Sequence, residues 1–221
     1  MKKALLIVAI CYFGLLSTGI TKASDGFPFG IGPYVTLKGG VNANSVPNGI
    51  MNGFNINPLP DFGATLYFPL SSESKFGITC DLGYSTYTYK LKWTDDPNNP
   101  WTNEFSYFTI SPNLHLYGFL LGVAVGFPMN ATTRNISGTD NVATLFDVRI
   151  GGMIPVFESF FGRLNILISG GYVLSGIYKE NQGWAIWRNG KNYRLDGETN
   201  PHPAWMSIGL SYIFNLYIFD F

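Results

Sequence analysis

The stretch MSIGLSYIF, residues 206–214, decides the fold. Met206, Ile208, Leu210, Tyr212 and Phe214 fall on one side of an extended chain, and Ser207, Gly209 and Ser211 fall on the other. Successive side chains of a strand point to opposite faces, so this period of two describes a strand that is apolar on one face and small or polar on the other. The same period governs IGPYVTLK, residues 31–38, where Ile31, Pro33, Val35 and Leu37 oppose Gly32, Tyr34, Thr36 and Lys38. Between these two lie six more segments of the kind, at 62–70, 76–85, 107–116, 120–127, 146–154 and 163–174. The expectation is eight strands.

The connections order them. Three are short, at 71–74, around Tyr117 and Gly118, and at 157–162. Four are long, at 39–61, 92–104, 128–143 and 179–203, and short and long alternate strictly along the chain. Bacterial outer-membrane barrels have an even strand count, short periplasmic turns and longer external loops. An all-β, eight-stranded, antiparallel, up-and-down transmembrane β-barrel is therefore the expected fold, with both termini on the periplasmic side. Pro112 falls inside the fourth strand, where its missing N–H predicts a bulge. The run 214–221 is apolar on both faces, which leaves its register open. A helix through 116–129, with Gly118, Gly122 and Gly126 at small-xxx-small spacing, is the rival within a membrane. It is too short to span and follows a β-alternating segment.

Composition points the same way. Charged residues make up 13% of the chain, against roughly 25% in ordinary soluble domains. The first residues resemble an export signal, with Lys2 and Lys3 ahead of an apolar run from Ala4 to Leu16 and small residues at Thr21 and Ala23. The domains expected are thus a signal peptide at 1–23 and an outer-membrane barrel at 24–221. Its removal leaves eleven basic residues against fourteen acidic, a net charge of −3. That balance excludes the basic face that nucleic acid requires. Cys80 is the one cysteine left, so the mature chain can form no internal disulfide.

Alternation alone does not separate a membrane barrel from a soluble lipocalin-like carrier with an apolar interior. Loop asymmetry, low charge and aromatic placement favour the membrane. Tyr67, Phe68, Phe76, Tyr117, Phe119, Phe157, Phe160 and Phe161 cluster near the short turns. Tyr87, Tyr89, Trp93, Trp101, Trp184, Trp187 and Trp205 lie near the long connections, and two aromatic belts at the headgroup levels are the expectation. The polar face then fills the lumen with Lys38, Asp81, His115, Asp147, Arg149 and Arg163. Eight strands enclose an interior just wide enough for side chains, so those charges must pair and the lumen is a core instead of a pore.

Several short motifs resemble a known family: Tyr67-Phe68-Pro69-Leu70 before a tight turn, 104–112 (EFSYFTISP), 121–129 (LGVAVGFPM) and 210–214 (LSYIF). Together they are similar to the PorT-like outer membrane protein beta-barrel domain, related in architecture to OmpX and the OmpA membrane domain. The resemblance covers roughly residues 30–214 and implies no catalytic residue. It implies a place in the cell outer membrane, insertion by the barrel-assembly machinery, and outer-membrane lipid as the surrounding partner. Phe221 resembles the terminal aromatic residue that such machinery reads.

Functionally, the expectation is a non-enzymatic structural or surface-interaction barrel, with no cofactor, no metal site and no nucleic-acid partner. Trp101, Trp184, Trp187, Arg188 and Tyr193 are the loop residues suited to an extracellular or envelope protein partner or a surface glycan. An outer-membrane lipid hydrolase is the enzymatic alternative, resting on His202 near Ser207, Glu198 and Asp196, because general-base chemistry needs such groups within hydrogen-bond reach. A component of secretion or envelope assembly is the alternative that the family resemblance suggests, and fold alone does not decide it.

Overall fold

The computed structural model describes residues 29–70, 76–134, 136–180 and 182–216. The segment read as a signal peptide, the turn at 71–74 and the terminal Phe221 lie outside them. Within them the strands are β1 (Phe29–Asn42), β2 (Ile50–Gly53), β3 (Asn55–Ile56), β4 (Asp61–Pro69), β5 (Phe76–Trp93), β6 (Asp96–Leu116) and β7 (Phe119–Thr133). After these come β8 (Ile136–Ser137), β9 (Leu145–Ser159), β10 (Gly162–Val173), β11 (Ala185–Arg188), β12 (Lys191–Arg194) and β13 (Pro203–Leu216).

Eight of these form a closed ring. In chain order β1, β4, β5, β6, β7, β9, β10 and β13 each pair antiparallel with the next. β13 then pairs with β1 from Phe29↔Leu216 to Asn42↔Pro203, so the sheet ends where it starts. Closure removes the unpaired edge that an open sheet would present to other chains. These are the eight segments read from the period-two pattern, and β13 extends through Leu216. The stretch around Gly118 and Gly122 is a hairpin between β6 and β7, not a helix.

Faces follow the alternation closely. Along β1, Ile31, Pro33, Val35 and Leu37 are exposed on the outside, while Gly32, Thr36 and Lys38 are buried within. On β13, Met206, Ile208, Leu210 and Phe214 are exposed, and Trp205, Ser211 and Ile213 are buried. The outer surface is therefore mostly aliphatic and aromatic, and the inner one carries the polar groups. That arrangement inverts a water-soluble domain.

Two expectations fail. No register shift occurs at Pro112, which faces Cys80 in an unbroken β5–β6 ladder. On the other side the pairings of Ser111 and Pro112 with β7 are missing, and the register resumes unchanged at Asn113↔Gly122. Proline's missing donor opens the ladder without bending it. The irregularity in this pair falls between Ser106 and Tyr107, where Met129 of β7 is the extra residue. The second failure is the loop expected at 92–104. There β5 and β6 continue as one long hairpin, and β2 pairs with the far part of β5 from Ile50↔Trp93 to Gly53↔Lys90. The inward face carries on through Tyr87, Tyr89, Leu91 and Trp93, and burial of those side chains holds the hairpin beyond the closed ring.

Candidate functional site in the ring interior and at its capped end

Inside the ring the described residues form two ion pairs, Lys38–Asp61 across β1 and β4 and Arg149–Asp147 within β9, while Asp81 and Arg163 make none and are held by hydrogen bonds or a ring face. Lys38 of β1 places Nζ 2.6 Å from Asp61 Oδ2 of β4. Ser85 of β5 bridges them, accepting from Lys38 at 2.5 Å and donating to Asp61 at 2.7 Å, while the Thr86 backbone N–H donates to the other Asp61 oxygen at 2.8 Å. The Lys38 ammonium also lies 4.1 Å from the Tyr87 ring centre and 4.6 Å from that of Trp205. A desolvated cation against two aromatic faces gains quadrupole attraction in addition to its ion pair.

Asp147 of β9 is the second hub. It accepts hydrogen bonds from the Tyr87 hydroxyl at 2.5 Å, Trp205 Nε1 at 3.2 Å and Arg149 Nε at 2.9 Å. Arg149 is also seated over Trp205, 5.2 Å from its ring centre. Asp81 of β5 accepts from Thr65 Oγ1 at 2.6 Å and Asn113 Nδ2 at 3.2 Å. Nearer the short turns, Arg163 lies 4.0 Å over the Tyr67 ring, and His115 meets the same ring edge-on at 5.7 Å. Space for these side chains comes from glycine. Gly63 and Gly83 face each other across β4 and β5, and the Tyr34 ring lies against the pair.

What remains between these groups is a cavity of about 50 Å³, bordered by Tyr34, Lys38, Asp61, Asp81, Arg149 and Trp205. That volume holds a few waters, since one needs roughly 10–15 Å³ on this measure. Below it, Tyr67, Met153 and Ile213 pack with Leu120 and Leu167. Above it, an aromatic core closes the other end.

That upper core corrects the second aromatic belt. Tyr87, Tyr89, Trp93, Trp101, Trp184 and Trp205 are buried in it, not placed at a rim, and Trp187 alone of the expected set is well exposed, at 69%. The segment between β10 and β13 folds over the mouth and inserts Ile177, Tyr178, Trp184, Ile186 and Leu195. Tyr178 and Trp184 lie 5.3 Å apart, and Phe105 meets Tyr178 edge-on at 5.8 Å. Asn200 pins this cap, accepting from the Ile177 and Tyr178 backbone N–H groups at 3.1 and 3.0 Å and donating to the Tyr178 carbonyl at 2.9 Å. Burial pushes the Tyr178 phenol above its ordinary range. The buried side of the cap is thus aromatic and aliphatic.

The loop residues expected to meet partners therefore divide. Trp184 belongs to the cap. Trp187 stands on the β11–β12 hairpin, turned by Asn189 and Gly190 in left-handed backbone that favours these two residue types. Trp101, Arg188 and Tyr193 converge on Trp93: Trp101 at 5.2 Å, Tyr193 edge-on at 5.0 Å, and the Arg188 guanidinium at 4.6 Å from the ring centre. Sequence reasoning missed Asp61, Tyr87 and Trp205 as interior partners. Parity carried the signal, because Asp61 precedes outward Phe62, and Tyr87 and Trp205 stand on the inward register of their strands.

His202 is held by structure. Its ring stacks on Tyr172 at 6.0 Å, and Nδ1 donates to the Val173 carbonyl at 2.9 Å. Among the described residues, no three His, Cys, Asp or Glu side chains gather as metal ligands.

No protein-family model matches the chain, and no curated protein matches it in sequence. Among solved structures, it is similar to the crystal structure of the outer membrane protein OprG from Pseudomonas aeruginosa. The TM-score is 0.38 and the identity 10%, over 86% of this chain and 98% of that one.

Proposed function

We propose that the chain is a small, non-enzymatic barrel of the bacterial outer membrane, plugged through its length, that offers its capped end to the cell's surroundings. One observation carries this reading: the ring wears its apolar side chains outside and packs paired charges within. In water, the exposed Ile31, Val35, Leu37, Leu121, Ile150, Ile208, Leu210 and their neighbours would form an apolar surface far larger than a soluble monomer tolerates. Against acyl chains they cost nothing, and closure of β13 onto β1 leaves the ring no free edge in hydrocarbon. Tyr117, Phe119, Phe157, Phe160 and Phe161, all exposed near the short turns, suit the headgroup level of one leaflet.

The interior supports a structural barrel over a channel. Its cavity has the volume of a few waters, between an aromatic cap and an apolar floor. Both histidines are engaged in packing, which supports a role without catalysis. The motifs similar to PorT-like barrels agree with this assignment and with lipid as the surrounding partner.

Orientation is tested by replacing Trp187 with cysteine and treating intact cells with a membrane-impermeant maleimide. The expected result is labelling of the variant above the unsubstituted chain. Labelling only after cell disruption would overturn the proposal that the capped end faces outward.

A further inference from the structure

At the tip of the β5–β6 hairpin, Trp93, Asp96, Asn99, Pro100, Trp101, Arg134 and Arg188 border a cavity of about 300 Å³. This is the lower limit of the volumes typical of small-molecule sites. Its wall is a layered stack. The Arg134 guanidinium lies 5.5 Å from the Trp101 ring centre, Trp101 packs on Trp93 at 5.2 Å, and Arg188 covers Trp93 at 4.6 Å.

Two donors here lack what such donors usually have. Trp101 Nε1 is buried without a hydrogen-bond partner among the described residues, which costs free energy unless something accepts from it. Arg134 is exposed at the cavity and has no carboxylate within ion-pair distance among the described residues. Arg188 differs, since it pairs with Asp95 at 2.8 Å. Asp96, which also borders the cavity, accepts from Asn99 Nδ2 at 2.9 and 3.1 Å, leaving lone pairs for hydroxyl groups. Orphaned donors and a carboxylate around one cavity describe the ligand. It has an anionic group for a planar fork of N–H donors, and hydroxyls for a carboxylate.

We propose that this cavity binds a saccharide carrying a phosphate or carboxylate group. The anion sits at Arg134, an oxygen accepts from Trp101 Nε1, and ring hydroxyls donate to Asp96. The inference deepens the surface-contact reading and rests on the capped end facing outward, where both free anionic sugars and phosphorylated glycolipid headgroups are met.

The test uses the chain, expressed as residues 24–221 and folded in detergent micelles, titrated by calorimetry and tryptophan fluorescence. Glucuronate, glucose 1-phosphate, glucose, inorganic phosphate and micellar lipid A are the probes. Anionic sugars should bind at least about tenfold more tightly than glucose or phosphate, because neither control satisfies both the donors and the carboxylate. Tight binding of lipid A with weak free sugars would identify the headgroup as source, and comparable binding would identify the free sugar. Arg134→Gln should weaken binding about tenfold or more, and Trp101→Phe, which keeps a ring but removes the donor, should weaken it less. Equal affinity for glucose, or unchanged affinity in Arg134→Gln, would overturn the proposal. Cold-SDS mobility of each protein reports the barrel separately, so loss of that fold in the parent chain would count against the membrane reading instead.

Discussion

Replacing Lys38 with methionine isolates what the interior ion pair contributes. Methionine keeps most of the side-chain length and removes the cation. Asp61 is then left with Ser85 and the Thr86 N–H but without a counter-charge, in a site where Lys38 and Asp61 side chains are 3% and 5% exposed. Breaking a buried pair from one side costs about 3–5 kcal/mol. Loss of the ammonium from between Tyr87 and Trp205 adds about 1–2 kcal/mol of lost cation–π attraction. Lys38→Met should therefore destabilise by about 4–7 kcal/mol. Adding Asp61→Leu removes the stranded carboxylate, and the double variant should recover about half or more of that loss, since apolar replacement of both partners is often close to neutral. The assay is urea unfolding in lipid vesicles, read by tryptophan fluorescence and by cold-SDS mobility. A single variant within about 1 kcal/mol of the parent, or a double variant equal to the sum of its singles, would refute the argument that the charges are buried and coupled.

Three other outcomes are expected. Leu210 is outward in mid-β13, between Val35 and Ile166, so Leu210→Arg should destabilise the vesicle-embedded protein by about 2–4 kcal/mol in the same unfolding assay. A Cβ on Gly83 would lie 2.6 Å from the Tyr34 hydroxyl and 2.3 Å from the Phe62 carbonyl oxygen, so Gly83→Val should cost about 1–3 kcal/mol or more, and Gly83→Ala less. Planar-bilayer recordings should show no stable large conductance steps, because the remaining interior cavity is about 50 Å³ beneath a packed cap.

The ring was legible in the sequence because each of its strands has one face against the interior and one outside, which writes period two into the residues. β1 and β13 show it most clearly. Residues 92–104 were harder, since Lys90 and Lys92 alternate with buried Leu91 and Trp93, and the Pro97-to-Pro100 stretch has loop composition. The inward parity of Tyr87 and Tyr89 continued through it unnoticed. Lys38, Asp81, His115, Asp147, Arg149 and Arg163 could be assigned to the inner face from parity, but their partners could not. Which groups meet across the lumen depends on ring closure and on strand stagger, which no local pattern contains. The cap was least legible: its tryptophans have the composition of a headgroup belt, and only tertiary packing turns Trp184 inward.

The central claim is that this fold needs acyl chains around it. The direct measurement is to dilute the urea-unfolded chain, expressed as residues 24–221, into buffer with and without phospholipid vesicles and to follow β-structure and cold-SDS mobility. The account predicts a folded, heat-modifiable species only when vesicles are present. A monodisperse, folded β protein formed in buffer alone would contradict it.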